Sequence, residues 1–132
     1  MSSIFSRIIR REIPGYIVAE DKHCIAFLDI NPLQLGHTLV VPKKEVDYIF
    51  DLDDQTISDI HRFAKKVAVG MKKVIPCNRI GMAVIGLEVP HAHIHLVPIN
   101  TMEDLNFELK KLTPSAEELK RIADKLTEAI RS

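Results

Sequence analysis

The stretch VPHAHIHLVP, residues 89–98, sets three histidines at strict two-residue spacing between two prolines. Half of the six histidines of the chain lie in this stretch. Because side chains alternate between the two faces of a strand, residues two apart share one face. We therefore predict a strand with an imidazole face, formed by His91, His93 and His95. The opposite face presents apolar side chains to a core, namely Ala92, Ile94 and Leu96.

Three interpretations of the imidazole face are open. The first is a polar sheet surface on which the histidines have no chemical role. The second is a zinc site, because a His-X-His pair on a strand needs only a further ligand, and His37 or Glu88 is available. The third is chemistry at phosphorus, in which one imidazole attacks and the others hold oxygens or protons. Imidazole suits this because its usual pKa of about 6.5 lets the neutral and cationic forms coexist near neutrality.

The composition is that of an ordinary globular protein with no strongly charged partner. The 132 residues fit one domain, and 18 basic residues balance 18 acidic ones. A net charge of zero provides no field that attracts nucleic acid or an anionic membrane. No apolar run suits a secretory signal or the roughly 18 residues of a membrane span. Cys24 and Cys77 form no CxxC pair, so we expect reduced thiols and a cytoplasmic location.

The hydrophobic period changes along the chain and predicts an α+β fold. Residues 3–14 have helical spacing and end at a Pro-Gly pair. Five short runs are predicted as strands, at residues 16–21, 24–30, 37–42, 79–86 and 92–99. Because consecutive strands are joined by short connections, an antiparallel sheet is favoured over alternating βαβ units.

Two longer helices complete the predicted fold. A 3-4-3-4 apolar rhythm extends over residues 53–74 and stops before Pro76, with Asp53 or Asp54 as the N-cap. Thr113 followed by Pro114 is typical of a helix start and predicts a final helix. Its apolar stripe needs a cover, either on the same subunit or across a dimer. The stripe consists of Leu119, Ile122, Ala123, Leu126 and Ile130.

Four motifs resemble the nucleotide-binding branch of the histidine triad family. HAHIHLV fits the triad pattern His-φ-His-φ-His-φ-φ, where φ is apolar. IFSRIIRREIP, CIAFLDINP and GHTLVVPKK resemble the opening segments of that branch in the same order. The resemblance covers residues 4–99 and implies one α+β domain over residues 1–132 that forms a homodimer with a continuous sheet. Residues 100–132 then form a C-terminal helical extension.

The resemblance also implies an activity. Such proteins bind a purine nucleotide or nucleotide conjugate and cleave or transfer at its α-phosphate, without a metal or other cofactor. The nucleophile falls on His93, which would form a nucleotidyl-histidine intermediate that water resolves. The phosphate contact falls on His95, and His91 would orient the nucleophile, partly through its carbonyl. His37 matches a histidine of the same polar network.

The nucleotide-binding positions follow from the same resemblance. Asp29 matches the acid that binds the ribose hydroxyls, although a turn aspartate is the alternative interpretation. Five positions match the apolar surroundings of the base, and each is equally compatible with plain core. They are Phe5, Ile8, Phe27, Ile30 and Leu39.

Two departures from the family pattern keep a second functional class open. Leu87 and Glu88 stand where many members have an amide and a hydroxyl residue, and a carboxylate there would repel phosphate. Glu45 stands where many members have histidine. The alternative to an enzyme is therefore a non-catalytic nucleotide-binding or protein-interaction module of the same fold.

Overall fold

The computed structural model describes residues 2–131 and contains a five-stranded antiparallel sheet with three α-helices. The strand order is β1-β2-β3-β5-β4. The strands are β1 Ile17–Glu20, β2 Cys24–Leu28, β3 Thr38–Pro42, β4 Arg79–Ala83 and β5 Ile94–Ile99. The helices are α1 Ile4–Ile9, α2 Asp54–Val74 and α3 Ala116–Arg131. The predicted α+β class with its long central helix and additional C-terminal helix is confirmed.

Strand register places the second half of the histidine motif on an interior strand of the sheet, next to the edge strand β4. β5 lies between β3 and β4, and His95 is paired with Leu39 on one side and with Ala83 on the other. The β1–β2 hairpin turns at Asp21, whose carboxylate accepts hydrogen bonds from the amides of His23 and Cys24, each at 2.8 Å. Asx turns of this kind suit short hairpin connections.

The strand that carries the motif begins later than the sequence predicts. β5 starts at Ile94, so His91 and His93 precede the ladder. The amide of His91 donates to Val89 O at 2.8 Å, and the amide of Ala92 donates to Val46 O at 2.7 Å. Because these two amides are already hydrogen-bonded, they cannot pair with a neighbouring strand, and the strand starts only at Ile94. The predicted strand at 79–86 is likewise shorter and ends at Ala83.

The alternation of the motif is nevertheless confirmed. Ala92, Ile94 and Leu96 are buried in the main core, which lies between the sheet and the two long helices. The other face of the sheet carries a second apolar cluster against α1. β2 shows the same period of two, because Ala26 enters the main core and Phe27 enters the second cluster.

The helix ends follow local capping chemistry. Asp53 caps α2 by accepting a hydrogen bond from the Thr56 amide at 2.8 Å, as predicted. α3 starts later than Thr113-Pro114 indicates, because the Ser115 hydroxyl accepts from the Glu118 amide at 3.1 Å. α1 ends at Ile9, well before the Pro-Gly pair. Arg11 has a φ of 61°, in the left-handed region that ends helices.

The stripe of α3 is covered by its own subunit. Four of the five predicted stripe residues are buried, and the fifth, Ile122, is partly buried. The two long helices approach so closely that a Cβ on Gly70 would lie 2.5 Å from Ile130 Cγ1. Within residues 2–131, no helix has both the length and the apolarity to cross a bilayer.

Candidate active site

The three histidines of the motif are buried side by side at the edge of the second apolar cluster. The ring centroids of His93 and His95 lie 4.7 Å apart. The Phe5 ring from α1 meets His93 edge-on at 4.9 Å and lies 5.9 Å from His91. The imidazoles therefore line a partly apolar site in which each ring nitrogen needs a defined partner.

The main chain fixes the tautomer of His93. Its Nδ1 lies 2.7 Å from the carbonyl oxygen of His91, which only accepts, so Nδ1 carries the proton. The other nitrogen, Nε2, therefore keeps its lone pair. Burial lowers the pKa of His93, which keeps this ring neutral near pH 7. A neutral imidazole with a free Nε2 is a competent nucleophile.

His91 is held at both of its ring nitrogens. Its Nε2 donates to the carbonyl of Pro42 at 2.8 Å, so its Nδ1 accepts from the Ser3 hydroxyl at 2.7 Å. Both bonds are buried, and they fix the ring and with it the carbonyl that orients His93. Ser3 is also the N-cap of α1, and its oxygen accepts from the Ser6 amide at 3.0 Å.

Glu45 completes this arrangement from the end of β3. One carboxylate oxygen accepts from the Ser3 amide at 2.8 Å and from the Ser6 hydroxyl at 2.5 Å. The hydrogen bonds from Ser6 and Ser3 lower the pKa of Glu45 to about 2. Glu45, which departs from the family pattern, therefore ties α1 to the triad. We call Ser3, Ser6, Glu45 and His91 the serine–glutamate network.

His37 and His95 form a second pair with a defined proton. The amide of Leu33 donates to His37 Nδ1 at 3.1 Å, so His37 Nε2 carries a proton and donates to His95 Nδ1 at 3.0 Å. His95 Nε2 is then protonated and available to a phosphate oxygen. Burial is the main cause that lowers the pKa of His37 to about 4 and that of His95 to about 3. Both rings are therefore neutral, not cationic, at pH 7 in the ligand-free protein.

The same geometry bears on the zinc interpretation. Ligand atoms of Asp29, His37 and His95 lie within 4.8 Å of one another, a spacing that could hold a metal ion. A metal at His37 Nε2 would have to expel a proton, and the ring cannot take it at Nδ1, which faces the Leu33 amide. The hydrogen bonds therefore favour a histidine pair over a metal centre.

Asp29 lies at the end of β2 with its two oxygens in different roles. Oδ1 accepts from the Asn31 amide at 2.9 Å, which is the turn contact of the alternative interpretation. Oδ2 lies 3.9 Å from His37 Nε2. Burial raises the pKa of this carboxyl, and the bond to Asn31 opposes that change. One oxygen therefore builds the turn while the other faces the histidine pair.

The candidate base-binding residues separate into two groups. Phe5, Ile8, Phe27 and Leu39 meet in the second apolar cluster, and the Phe5 and Phe27 rings are 5.3 Å apart. Ile30 lies outside this cluster and is 56% exposed. The structure thus brings four of the five positions together beside His93.

Several residues at the site carried no functional signal in the sequence. Phe107 lies in the C-terminal extension, and its ring centroid is 4.7 Å from His95 and 6.2 Å from His37. Lys111 Nζ lies 3.3 Å from Glu88 Oε1. A single aromatic and one of two adjacent lysines in a charged segment have no diagnostic spacing. Only their tertiary positions reveal them.

Comparisons with known proteins agree with this architecture. The HIT domain family model matches residues 10–102. The adenosine 5′-monophosphoramidase of Schizosaccharomyces pombe is 32% identical over 134 residues, covering 99% of this chain and 100% of that protein. That of Saccharomyces cerevisiae is 37% identical over 99 residues, covering 72% and 61%. The crystal structure of a HIT-like protein from Bartonella henselae has a TM-score of 0.83 at 33% identity, covering 97% and 96%.

Proposed function

The chain belongs to the histidine triad (HIT) family, and we propose that it is a nucleotide hydrolase acting at the α-phosphate through a nucleotidyl-histidine intermediate. Its substrates are purine nucleotide conjugates of the phosphoramidate or dinucleoside polyphosphate type, bound by one domain over residues 1–132. The observation that carries the proposal is the bond from His93 Nδ1 to the His91 carbonyl, which leaves Nε2 as a free nucleophile. The adenosine 5′-monophosphoramidase activity of the two yeast relatives supports it.

The reaction takes two displacements at phosphorus. His93 Nε2 attacks the α-phosphorus, the bond to the leaving group breaks, and a nucleotidyl-His93 adduct forms. The His91 carbonyl stabilises the positive charge that develops on this ring, because it accepts a hydrogen bond from Nδ1–H. His95 donates a hydrogen bond from Nε2–H to a non-bridging phosphate oxygen and keeps its proton. Water then attacks the same phosphorus, breaks the P–N bond to His93 and releases the nucleoside monophosphate.

The remaining site residues bind the nucleotide. Asp29 Oδ2 accepts from the ribose hydroxyls, because Oδ1 is already occupied by the Asn31 amide. The second apolar cluster and the exposed Ile30 contact the base. No step requires a metal, since hydrogen bonds from neutral imidazoles stabilise the negative charge on the phosphate oxygens.

The non-catalytic alternative rests on Glu88, whose charge would repel phosphate. In the structure, Lys111 pairs with that carboxylate at 3.3 Å and compensates its charge. This contact favours the enzyme.

The partner we propose is a second copy of the chain. β4 is one of the two outer strands of the sheet, and Met82, Val84 and Ile85 on and after it are exposed. Pairing of two such edges would make one continuous sheet and cover these side chains.

We propose a cytoplasmic location because both cysteines are free thiols.

Rapid quenching during turnover of an adenosine phosphoramidate tests the activity directly. The wild type should carry one nucleotidyl adduct per subunit and should turn over after exhaustive metal removal. His93→Asn has a similar size, so it should bind the nucleoside monophosphate within a few-fold but form no adduct. Turnover by His93→Asn would contradict its role as nucleophile, and loss of wild-type turnover on metal removal would contradict a metal-independent reaction. Either result would favour a metal-dependent or non-catalytic role instead.

A further inference from the structure

A segment of the C-terminal extension, residues 106–112, passes over the candidate active site, and we call it the crossing segment. Near its start, the Phe107 ring lies against His95 at 4.7 Å. At its end, the amide of Leu112 donates to the Pro32 carbonyl at 2.9 Å. The segment is therefore anchored both to the histidine pair and to the loop that follows Asp29.

The crossing segment also reaches the loop that leads into the triad. Lys111 Nζ and Glu88 Oε1 are 3.3 Å apart, and Glu88 stands three positions before His91. The Lys111 side chain is 32% exposed and that of Glu88 is 80% exposed. Both charges reach solvent beside the histidines, where they can interact with a leaving group that extends out of the site.

The two charges influence several ionisable groups of the site. Burial is the main cause of the lowered pKa of His93, and the Glu88 carboxylate opposes it. Burial also lowers the pKa of His95 and His37, and in both cases Lys111 adds to the lowering. Both charges also act on Asp29, where Lys111 lowers the pKa and Glu88 raises it. The nucleophile therefore senses the negative charge, the histidine pair senses the positive charge, and Asp29 senses both.

We propose that the Glu88–Lys111 pair selects the charge of the leaving group, favouring amines that carry an additional ammonium over anionic leaving groups. This inference rests on the proposed function and specifies its substrate class. An exposed ion pair is weak, so a ligand charge can replace either partner. An ammonium on the leaving group pairs with Glu88 and releases Lys111 toward the α-phosphate. An anionic leaving group that pairs with Lys111 instead leaves the Glu88 carboxylate unpaired beside it.

Three adenosine 5′-phosphoramidates of equal length provide the test. Their amines are 1,4-diaminobutane, pentylamine and 5-aminopentanoate, so the chain end is an ammonium, a methyl or a carboxylate. In each case the P–N bond breaks and the amine leaves with a proton taken from solvent. Water then converts the adduct to the monophosphate and returns one proton to solvent, so the two steps balance. For the wild type we expect kcat/KM to fall in that order, by about tenfold from first to last, the size expected for exposed charges.

Charge variants then assign the preference to the pair. Glu88→Gln leaves Lys111 as the only charge of the pair, so the ratio between the ammonium and carboxylate substrates should fall to about one or below. The double variant Glu88→Lys with Lys111→Glu should reverse the order. Glu103→Gln and Lys110→Gln remove exposed charges from the same extension and should keep the wild-type ratio. A Glu88→Gln enzyme that keeps the full ratio overturns the inference, as does a wild type that prefers the carboxylate substrate.

Binding separates this inference from the proposed function. The three conjugates are titrated into His93→Asn, which we expect to bind without forming an adduct, and into the same variant carrying Glu88→Gln. A wild type without turnover or adduct refutes the proposed function, yet the order of the three dissociation constants still decides the role of the pair. Equal dissociation constants for the three conjugates in His93→Asn would overturn the inference.

Discussion

Ser3→Ala tests whether the serine–glutamate network positions the nucleophile or only holds α1 in place. The substitution removes the hydroxyl that bonds His91 Nδ1 at 2.7 Å and the cap that accepts from the Ser6 amide. Loss of an N-cap costs about 1 kcal/mol, and an unsatisfied buried ring nitrogen costs about 1–3 kcal/mol. We therefore expect the free energy of unfolding to fall by about 2–4 kcal/mol in denaturant titrations.

The same change should slow chemistry more than binding. Only the 3.5 Å contact with Ser6 Oγ, whose proton goes to Glu45, remains at Nδ1. The His91 ring therefore loses one of its two anchors, and the carbonyl that orients His93 loses its fixed position. Displacement of a catalytic group by about 1 Å costs about 100-fold in rate, so we expect adduct formation to slow about 10- to 100-fold while nucleotide affinity changes little. Rapid quench measures the first quantity, and equilibrium titration of nucleoside monophosphate measures the second.

A matched control separates the two roles. Ser115→Ala removes the same side chain from the N-cap of α3 and should cost about 1 kcal/mol without slowing adduct formation. If Ser3→Ala loses stability but forms the adduct at the wild-type rate, the network is structural only and our reasoning on His91 is refuted.

Three further predictions concern the ribose, acid stability and assembly. Asp29→Ala should weaken binding of a ribonucleotide by about 1.5–3 kcal/mol more than binding of the matching 2′,3′-dideoxynucleotide, and equal losses would assign Asp29 to its turn alone. The lowered pKa values of His37 and His95 mean that the unfolded chain binds more protons below about pH 6.5, so stability should fall as pH drops from 6.5 toward 4. His37→Gln should flatten that slope in urea titrations, and an unchanged slope would contradict the assignment. Sedimentation should show a symmetric dimer, with β4 and α2 near its axis, that Met82→Asp weakens; a monomeric wild type with intact activity would refute the dimer.

The fold could be predicted from the sequence because its cues are local. Alternation in the motif assigned Ala92, Ile94 and Leu96 to the core, and Asp53 marked the start of α2. The start of β5 could not be predicted in the same way. It depends on where the Ala92 amide finds its acceptor, and that acceptor is Val46, distant in sequence.

The site was only partly predictable for a related reason. The motif indicates three imidazoles, and the structure places His37 beside His95 as the resemblance implied. Ser3 and Glu45 join His91 only when α1 docks beneath the sheet, and Lys111 meets Glu88 only when the crossing segment is in place. Such contacts have no sequence period because the partners lie in different elements.

The proton arrangement of the site is determined largely by main-chain atoms. The Pro42 carbonyl sets the tautomer of His91, the His91 carbonyl sets that of His93, and the Leu33 amide sets that of His37. Main-chain groups are the same for every residue type apart from the missing amide of proline. Substitutions at positions 33 and 42 can therefore accumulate over evolutionary time without changing which nitrogen carries a proton, provided that position 33 does not become proline. Because Leu33 and Pro42 are both buried, a mutational scan should find that apolar residues of similar size at these positions preserve adduct formation.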